Sequence, residues 1–247
     1  MPARNETRRI SATLCRVVRI WLSACALAVL AAAAQLAAAQ APPAPRSPQP
    51  KFIVVLDAAH GGDDAGAALK SGQVEKSLTL AFAVKLRSLL TARGMTVVTT
   101  READATLGPN QRAETANRAQ AQACLSLHFS DTGSGIHLFV SDLPSVPAAH
   151  FVPWKTAQSA WVNRSLALTG DLNSALQHAD LPVTLGRTAL VGIDSMACPA
   201  VAIEIAPERA PGSATVKSAL DDAKYQSRVA EALAAALLIW RTEVRLP

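Results

Sequence analysis

Short apolar runs alternate with amphipathic helical stretches along most of the chain, and several of those runs carry no outward polar position at all. They are Phe52–Asp57 (FIVVLD), Thr96–Arg101 (TVVTTR), Cys124–His128 (CLSLH), Ile136–Val140 and Val201–Glu204 within AVAIEI, with a sixth around Ala189–Ile193. Between them, Leu78, Phe82, Leu86 and Leu89 form one helical stripe, Trp161, Leu168, Leu172 and Leu176 a second, and Val229, Leu233, Leu237 and Trp240 a third. Asn110 is placed to cap a further short helix running to Ala123. A strand apolar on both faces must be covered on both, so the class is α/β: a single domain with a mixed, mostly parallel sheet of about six strands and helices on both faces. Ile136–Val140 follows the preceding strand by seven residues, too few for a helical crossover; if those two strands pair directly, they are antiparallel.

The domain starts late. Arg4, Arg8, Arg9, Arg16 and Arg19 precede an uncharged, Ala-rich stretch, Ile20 to Ala39, that ends in three small residues, so residues 1–39 read as a cleaved export signal. Residues 40–50 (QAPPAPRSPQP) form a Pro-rich linker, and residues 51–247 the folded domain. The expected location is the periplasm or the extracellular cell envelope, with membrane contact only through the signal. Much of the formal charge of +5 comes from those five arginines; the rest is close to neutral and holds few aromatics, which excludes a nucleic-acid partner. Cys15 and Cys25 leave with the signal. Cys124 and Cys198 each start an apolar strand, where buried free thiols are expected even though an exported protein allows a disulfide.

In sheets of this class ligands bind beyond the carboxyl ends of the strands. Three such ends carry groups able to hold a metal or move a proton: FIVVLD leads to His60, CLSLH ends in His128, and AVAIE ends in Glu204. Glu75 follows His60 by fifteen residues, at the start of the next helix, and can reach the same edge. Two imidazoles and a carboxylate are a usual ligand set for catalytic zinc, with a second carboxylate left over as general base; the chemistry is hydrolysis of an amide or ester.

The sequence around these residues resembles a known family. Asp57-Ala-Ala-His60-Gly61-Gly62-Asp63-Asp64-Ala-Gly66-Ala67 with Glu75-Lys76 is similar to the opening motif of the zinc-dependent N-acetylmuramoyl-L-alanine amidases of family 3, cell-wall hydrolases. Thr100-Arg101 with Asp104, Arg112 with Ala116-Asn117, Ser126-Leu-His128 and Pro199-Ala-Val-Ala-Ile-Glu204 resemble its later blocks, in order, so the likeness covers about residues 51–231. It implies a phosphorylase/hydrolase-like, zinc-exopeptidase-like sheet, zinc held by His60, Glu75 and His128, and Glu204 as the proton carrier. It also implies peptidoglycan as substrate, cleaved between N-acetylmuramic acid and L-alanine in wall remodelling, daughter-cell separation or recycling. A zinc peptidase or deacylase acting on another envelope amide, and a catalytically silent peptidoglycan-binding protein, are the alternatives.

Other residues have plainer readings. Gly61 and Gly62 allow a tight turn beside the metal, Asp57 and Asp64 either orient the histidines or cap loops, and Arg101 and Arg112 are structural ion-pair partners. His137, His150 and His178 lie off the strand ends and take no role. The chain departs from the family pattern at Ala58-Ala59, where Pro-Gly is usual, at Ser130, where Asn is usual, and after Glu204, where Ile-Ala-Pro-Glu replaces Gly-Phe-Leu-Ser-Asn. An envelope activator is unknown; the 16-residue link from Ser141 to Thr156 leaves little material for an inhibitory plug, although Phe151 and Trp154 are able to cover part of a cleft.

Overall fold

The computed structural model describes residues 51–147, 151–210 and 212–245; the expected signal and linker, Cys15, Cys25 and His150 lie outside them. The first β-α unit comprises strand β1 (Ile53–Ala58), helix α1 (Glu75–Ala92) and strand β2 (Thr96–Thr99). Helix α2 (Pro109–Ala119) leads to β3 (Ala123–Phe129) and β4 (Ile136–Ser141). A 3-10 segment, Trp154–Ala160, precedes α3 (Val162–His178), and β5 (Val183–Thr188), β6 (Ala200–Ile205), the short pair β7 (Glu208–Arg209) and β8 (Val216–Ser218), and α4 (Ala223–Arg245) complete the order. Among the described residues no helix is long and apolar enough to cross a membrane.

The main sheet has six strands in the order β2-β1-β3-β6-β4-β5. The run β2-β1-β3-β6 is parallel, β4 is antiparallel to β6, and β5 is parallel to β4. The sheet is therefore mixed, but by a different pairing from the one first suggested. β3 and β4 do not pair, because β6 lies between them. The loop joining them crosses two strand spacings, about 10 Å, which residues 130–135 span easily.

Two faces of unequal depth result. Val54, Leu56, Leu125, Leu127, Ile203 and their neighbours pack under α1, α3 and α4, around the fully buried Phe82, Leu86, Leu172 and Leu233. The other face packs Val55, Cys124, Ala200 and Ala202 against Ala113 and Ala116 of α2 and against Ile193 and Met196. This second layer is thin, so its polar strand residues near the carboxyl edge stay reachable.

Two element expectations change. Ala189–Ile193 is not a strand: Gly192 takes φ 93°, and Ile193–Ser195 forms a 3-10 turn packed against α2. The sixth strand is Val183–Thr188, an exposed edge whose Thr, Gly and Arg positions carry no apolar run to announce it. The cap of α2 is Gly108, with Pro109 opening the helix, and the helix ends at Ala119 rather than Ala123, which already belongs to β3.

Cys124 and Cys198 are joined in a disulfide, contrary to the expected free thiols. Cys124 lies beside Ala200 in the β3–β6 register, which brings the residue two before Ala200 within bridging distance, Cα to Cα 6.3 Å. Closing a loop across 74 positions removes unfolded-chain entropy worth up to about 4 kcal/mol. Replacing both cysteines with alanine is expected to lower the unfolding free energy by roughly 2–4 kcal/mol in urea titration, with the m-value rising as the unfolded chain expands.

Candidate metal centre

β1, β3 and β6 are parallel, so their carboxyl ends lie at one edge of the sheet. His60 follows β1 by two residues in the left-handed region, φ 62°, a conformation that costs a non-glycine residue on the order of 1–2 kcal/mol. The turn is held from behind. Arg101 donates to the carbonyls of Ala58 (2.8 Å) and Ala59 (3.0 Å), and Arg112 to those of Ala58 (2.8 Å) and His60 (2.7 Å). Gly62, φ 60°, has no room for a side chain: a Cβ there falls 2.0 Å from Thr106 Oγ1. The two glycines thus make the tight turn foreseen for them.

Glu75 opens α1, with its side chain only 7% exposed. Its Oε2 accepts from the Ala67 amide (3.0 Å) and lies 3.0 Å from His60 Nε2; its Oε1 accepts from the Phe129 amide (3.1 Å) and lies 3.1 Å from His128 Nδ1. Burial alone raises the pKa of this carboxyl, but the bonds from His128, His60 and Ala67 outweigh burial and hold it well below the usual carboxylate range. The same contact with Glu75, opposed by burial and assisted by Asp64, raises the pKa of His60.

One donor atom from each of His60, Glu75 and His128 falls within 4.8 Å of the others, a group able to hold a metal ion. Donors on one tetrahedral ion with bonds of about 2.1 Å lie about 3.4 Å apart; the two carboxylate–imidazole contacts, one to each Glu75 oxygen, are somewhat shorter at 3.0 and 3.1 Å. The remaining ring nitrogens fit as well. His60 Nδ1 is 2.8 Å from Asp64 Oδ2, so it keeps its hydrogen and leaves Nε2 free to bind. Ser126 donates to Asp57 Oδ2 (2.8 Å) and therefore receives from His128 Nε2, 3.4 Å away, which leaves Nδ1 free. Asp64 thus touches a histidine directly, whereas Asp57 reaches one only through Ser126.

Arg112 forms the expected ion pair, with Asp57 at 2.8 Å, and Thr100 donates to the same oxygen at 2.7 Å. Arg101 makes no ion pair among the described residues. All of its bonds go to the carbonyls of Ala58, Ala59, Lys76 and Ala103 and to Thr79, so it is a clamp on backbone rather than a charge partner. His178 sits exposed at the end of α3, bonded to the Ser174 carbonyl.

Glu204 stands beside His128 in the β3–β6 register and points to the same face. A cleft of about 320 Å³ opens beside His128, lined by His60, Asp64 and His128, by an apolar wall of Leu190, Val191 and Ile193, and by Ala202; Glu204 itself is not among its lining residues. The apolar wall went unnoticed in the sequence because its residues read as a strand. The lining includes neither Phe151 nor Trp154.

Comparison with known proteins agrees with this layout. The family model described as N-acetylmuramoyl-L-alanine amidase matches residues 54–238, and the chain belongs to that family. It is 27% identical over 215 residues to the germination-specific N-acetylmuramoyl-L-alanine amidase of Bacillus subtilis (strain 168), covering 77% of this chain and 80% of that one. It is 38% identical over 78 residues to the amidase AmiA of Escherichia coli (strain K12), a match spanning 32% of this chain but only 27% of AmiA. The catalytic domain of CwlV, an N-acetylmuramoyl-L-alanine amidase from Bacillus (Paenibacillus) polymyxa var. colistinus, superposes with a TM-score of 0.60 at 26% identity, covering 77% of this chain and 98% of that one.

Asp64→Ala frees the His60 ring to rotate and is expected to weaken metal binding about 10- to 100-fold in competition with a chelating dye. A metal bound through His60 Nε2 would have to displace a proton from a ring whose pKa is raised, so affinity is expected to be full at alkaline pH. It should fall about tenfold per unit as pH drops through that raised value.

Proposed function

We propose that residues 51–247 are the catalytic domain of a zinc-dependent amidase that cleaves the bond between N-acetylmuramic acid and L-alanine in peptidoglycan. The observation that carries this reading is the convergence of His60, Glu75 and His128 at the strand edge, with Glu204 next to His128 on the same face. In it, His60 Nε2, a Glu75 oxygen and His128 Nδ1 are the ligands. Two imidazoles and one carboxylate suit zinc, which when bound supplies a Lewis acid that polarises the scissile carbonyl and activates water near neutral pH.

Glu204 then acts as the proton carrier. Its carboxylate takes a proton from the attacking water and returns it to the nitrogen of alanine as the bond breaks. Asp64 and Ser126 hold the two rings in their binding tautomers, and Leu190 and Ile193 give the cleft an apolar wall. Peptidoglycan lies outside the cytoplasm, in keeping with residues 1–39 as an export signal and residues 40–50 as a spacer. The domain alone, loaded with zinc, is expected to digest cell wall without an activator, because the short segment after β4 leaves the cleft unplugged by any described residue.

The test compares two glutamate substitutions on purified cell wall, with products identified by mass and metal measured on the same samples. Glu204→Gln should keep near-stoichiometric zinc yet lose about 10²–10⁴-fold in rate. Glu75→Ala should lose zinc and activity together. Wild-type products other than free stem peptides beginning with L-alanine would point to another envelope amide, and a fully active Glu204→Gln would remove the base from the mechanism.

A further inference from the structure

His137 lies on β4 at a position that suggests no chemistry in the sequence, but strand pairing gives it a neighbour. β6 separates β3 from β4, and the registers align His128, Glu204, His137 and Thr184 in one row across β3, β6, β4 and β5. Directly opposed residues point to the same face with Cβ atoms about 4.5–5.5 Å apart. Glu204 is therefore flanked by imidazoles on both sides, His128 and His137.

The His137 ring is held by three contacts. Its Nδ1 lies 2.8 Å from Thr184 Oγ1, and its plane stacks on Phe139 with centroids 6.4 Å apart at 11°. Gly133, φ 77°, packs its backbone against the ring; a Cβ there falls 2.5 Å from Nε2, so only glycine fits beside that nitrogen. Yet Nε2 is buried without a hydrogen-bond partner. A buried polar atom left unpaired is costly and calls for an explanation, and the strand register puts Glu204 next to this residue.

We propose that His137 is a positioning residue for Glu204, an inference that rests on the reading of Glu204 as the base. In this proposal the Thr184 hydroxyl is the donor to Nδ1, so the neutral ring carries its hydrogen on Nε2. With substrate in the cleft, that N–H donates to one oxygen of Glu204 and fixes the carboxylate, leaving the other oxygen to take the proton from water. His137 touches neither metal nor substrate; it acts through the base alone.

The test uses the zinc-loaded protein and a soluble muramoyl peptide. His137→Phe keeps the stacking and removes both nitrogens. It should lower kcat about 10- to 100-fold, the range for a hydrogen bond to a charged group, with KM and zinc content unchanged. His137→Gln, whose amide nitrogen can stand at the Nε2 position, should recover most of the loss. In the Glu204→Gln background, His137→Phe should cost nothing further, since the group it positions is gone. Thr184→Val, at an exposed position, gives a second route should the Phe variant fold poorly, and should lower kcat in the same direction. Equal losses in both backgrounds, loss of zinc, or an unchanged kcat in His137→Phe and Thr184→Val would overturn the inference while leaving Glu204 its role. A fully active Glu204→Gln would overturn the underlying reading instead.

Discussion

The site depends on one buried carboxylate. Glu75 receives the amides of Ala67 and Phe129 and faces the imidazoles of His60 and His128, so the loop after β1, the start of α1 and the end of β3 all meet at its two oxygens. A buried charge is tolerated only when it is paired and hydrogen-bonded, and here it is both. The same arrangement leaves two ring nitrogens and a carboxylate converging on one point, which is what a small, doubly charged cation requires.

The surroundings hold that convergence in place. His60 occupies a left-handed conformation that the local chain does not favour, and the Arg101 and Arg112 clamps on the carbonyls of residues 58–60 keep it there. Arg112 is in turn fixed by Asp57, which also orders Ser126 and through it the His128 ring. The opposite wall of the cleft is tied down as well. Asn117 bonds the Ser195 carbonyl and the Ala197 amide, Gln158 the carbonyls of Met196 and Cys198, and the disulfide binds Cys198 to β3. α2 and β3 thus brace both sides, α2 through Arg112 and Asn117 and β3 through Ser126 and Cys124.

How much was legible in the sequence follows from which contacts are local. The runs forming β1, β3 and β6 are apolar throughout because both faces are covered, and their ends point to His60, His128 and Glu204 with no knowledge of pairing. β5 was misplaced because an edge strand needs no apolar run, while the apolar Ala189–Ile193 stretch is a cleft wall that mimics one. The disulfide and the row containing His137 depend on β6 slotting between β3 and β4, a long-range pairing that no local pattern encodes. Arg101 looked like an ion-pair partner by its charge, but in the fold its planar fork serves five hydrogen bonds, none to a carboxylate.

The central claim, a metal held by these three side chains at the sheet edge, is tested most directly by diffraction at the zinc absorption edge from crystals grown with zinc. The account predicts one anomalous peak about 2.0–2.1 Å from His60 Nε2, His128 Nδ1 and a Glu75 oxygen, with Glu204 outside the coordination shell. A peak bonded to Glu204 in place of Glu75, or none at this edge in zinc-saturated crystals, would contradict it.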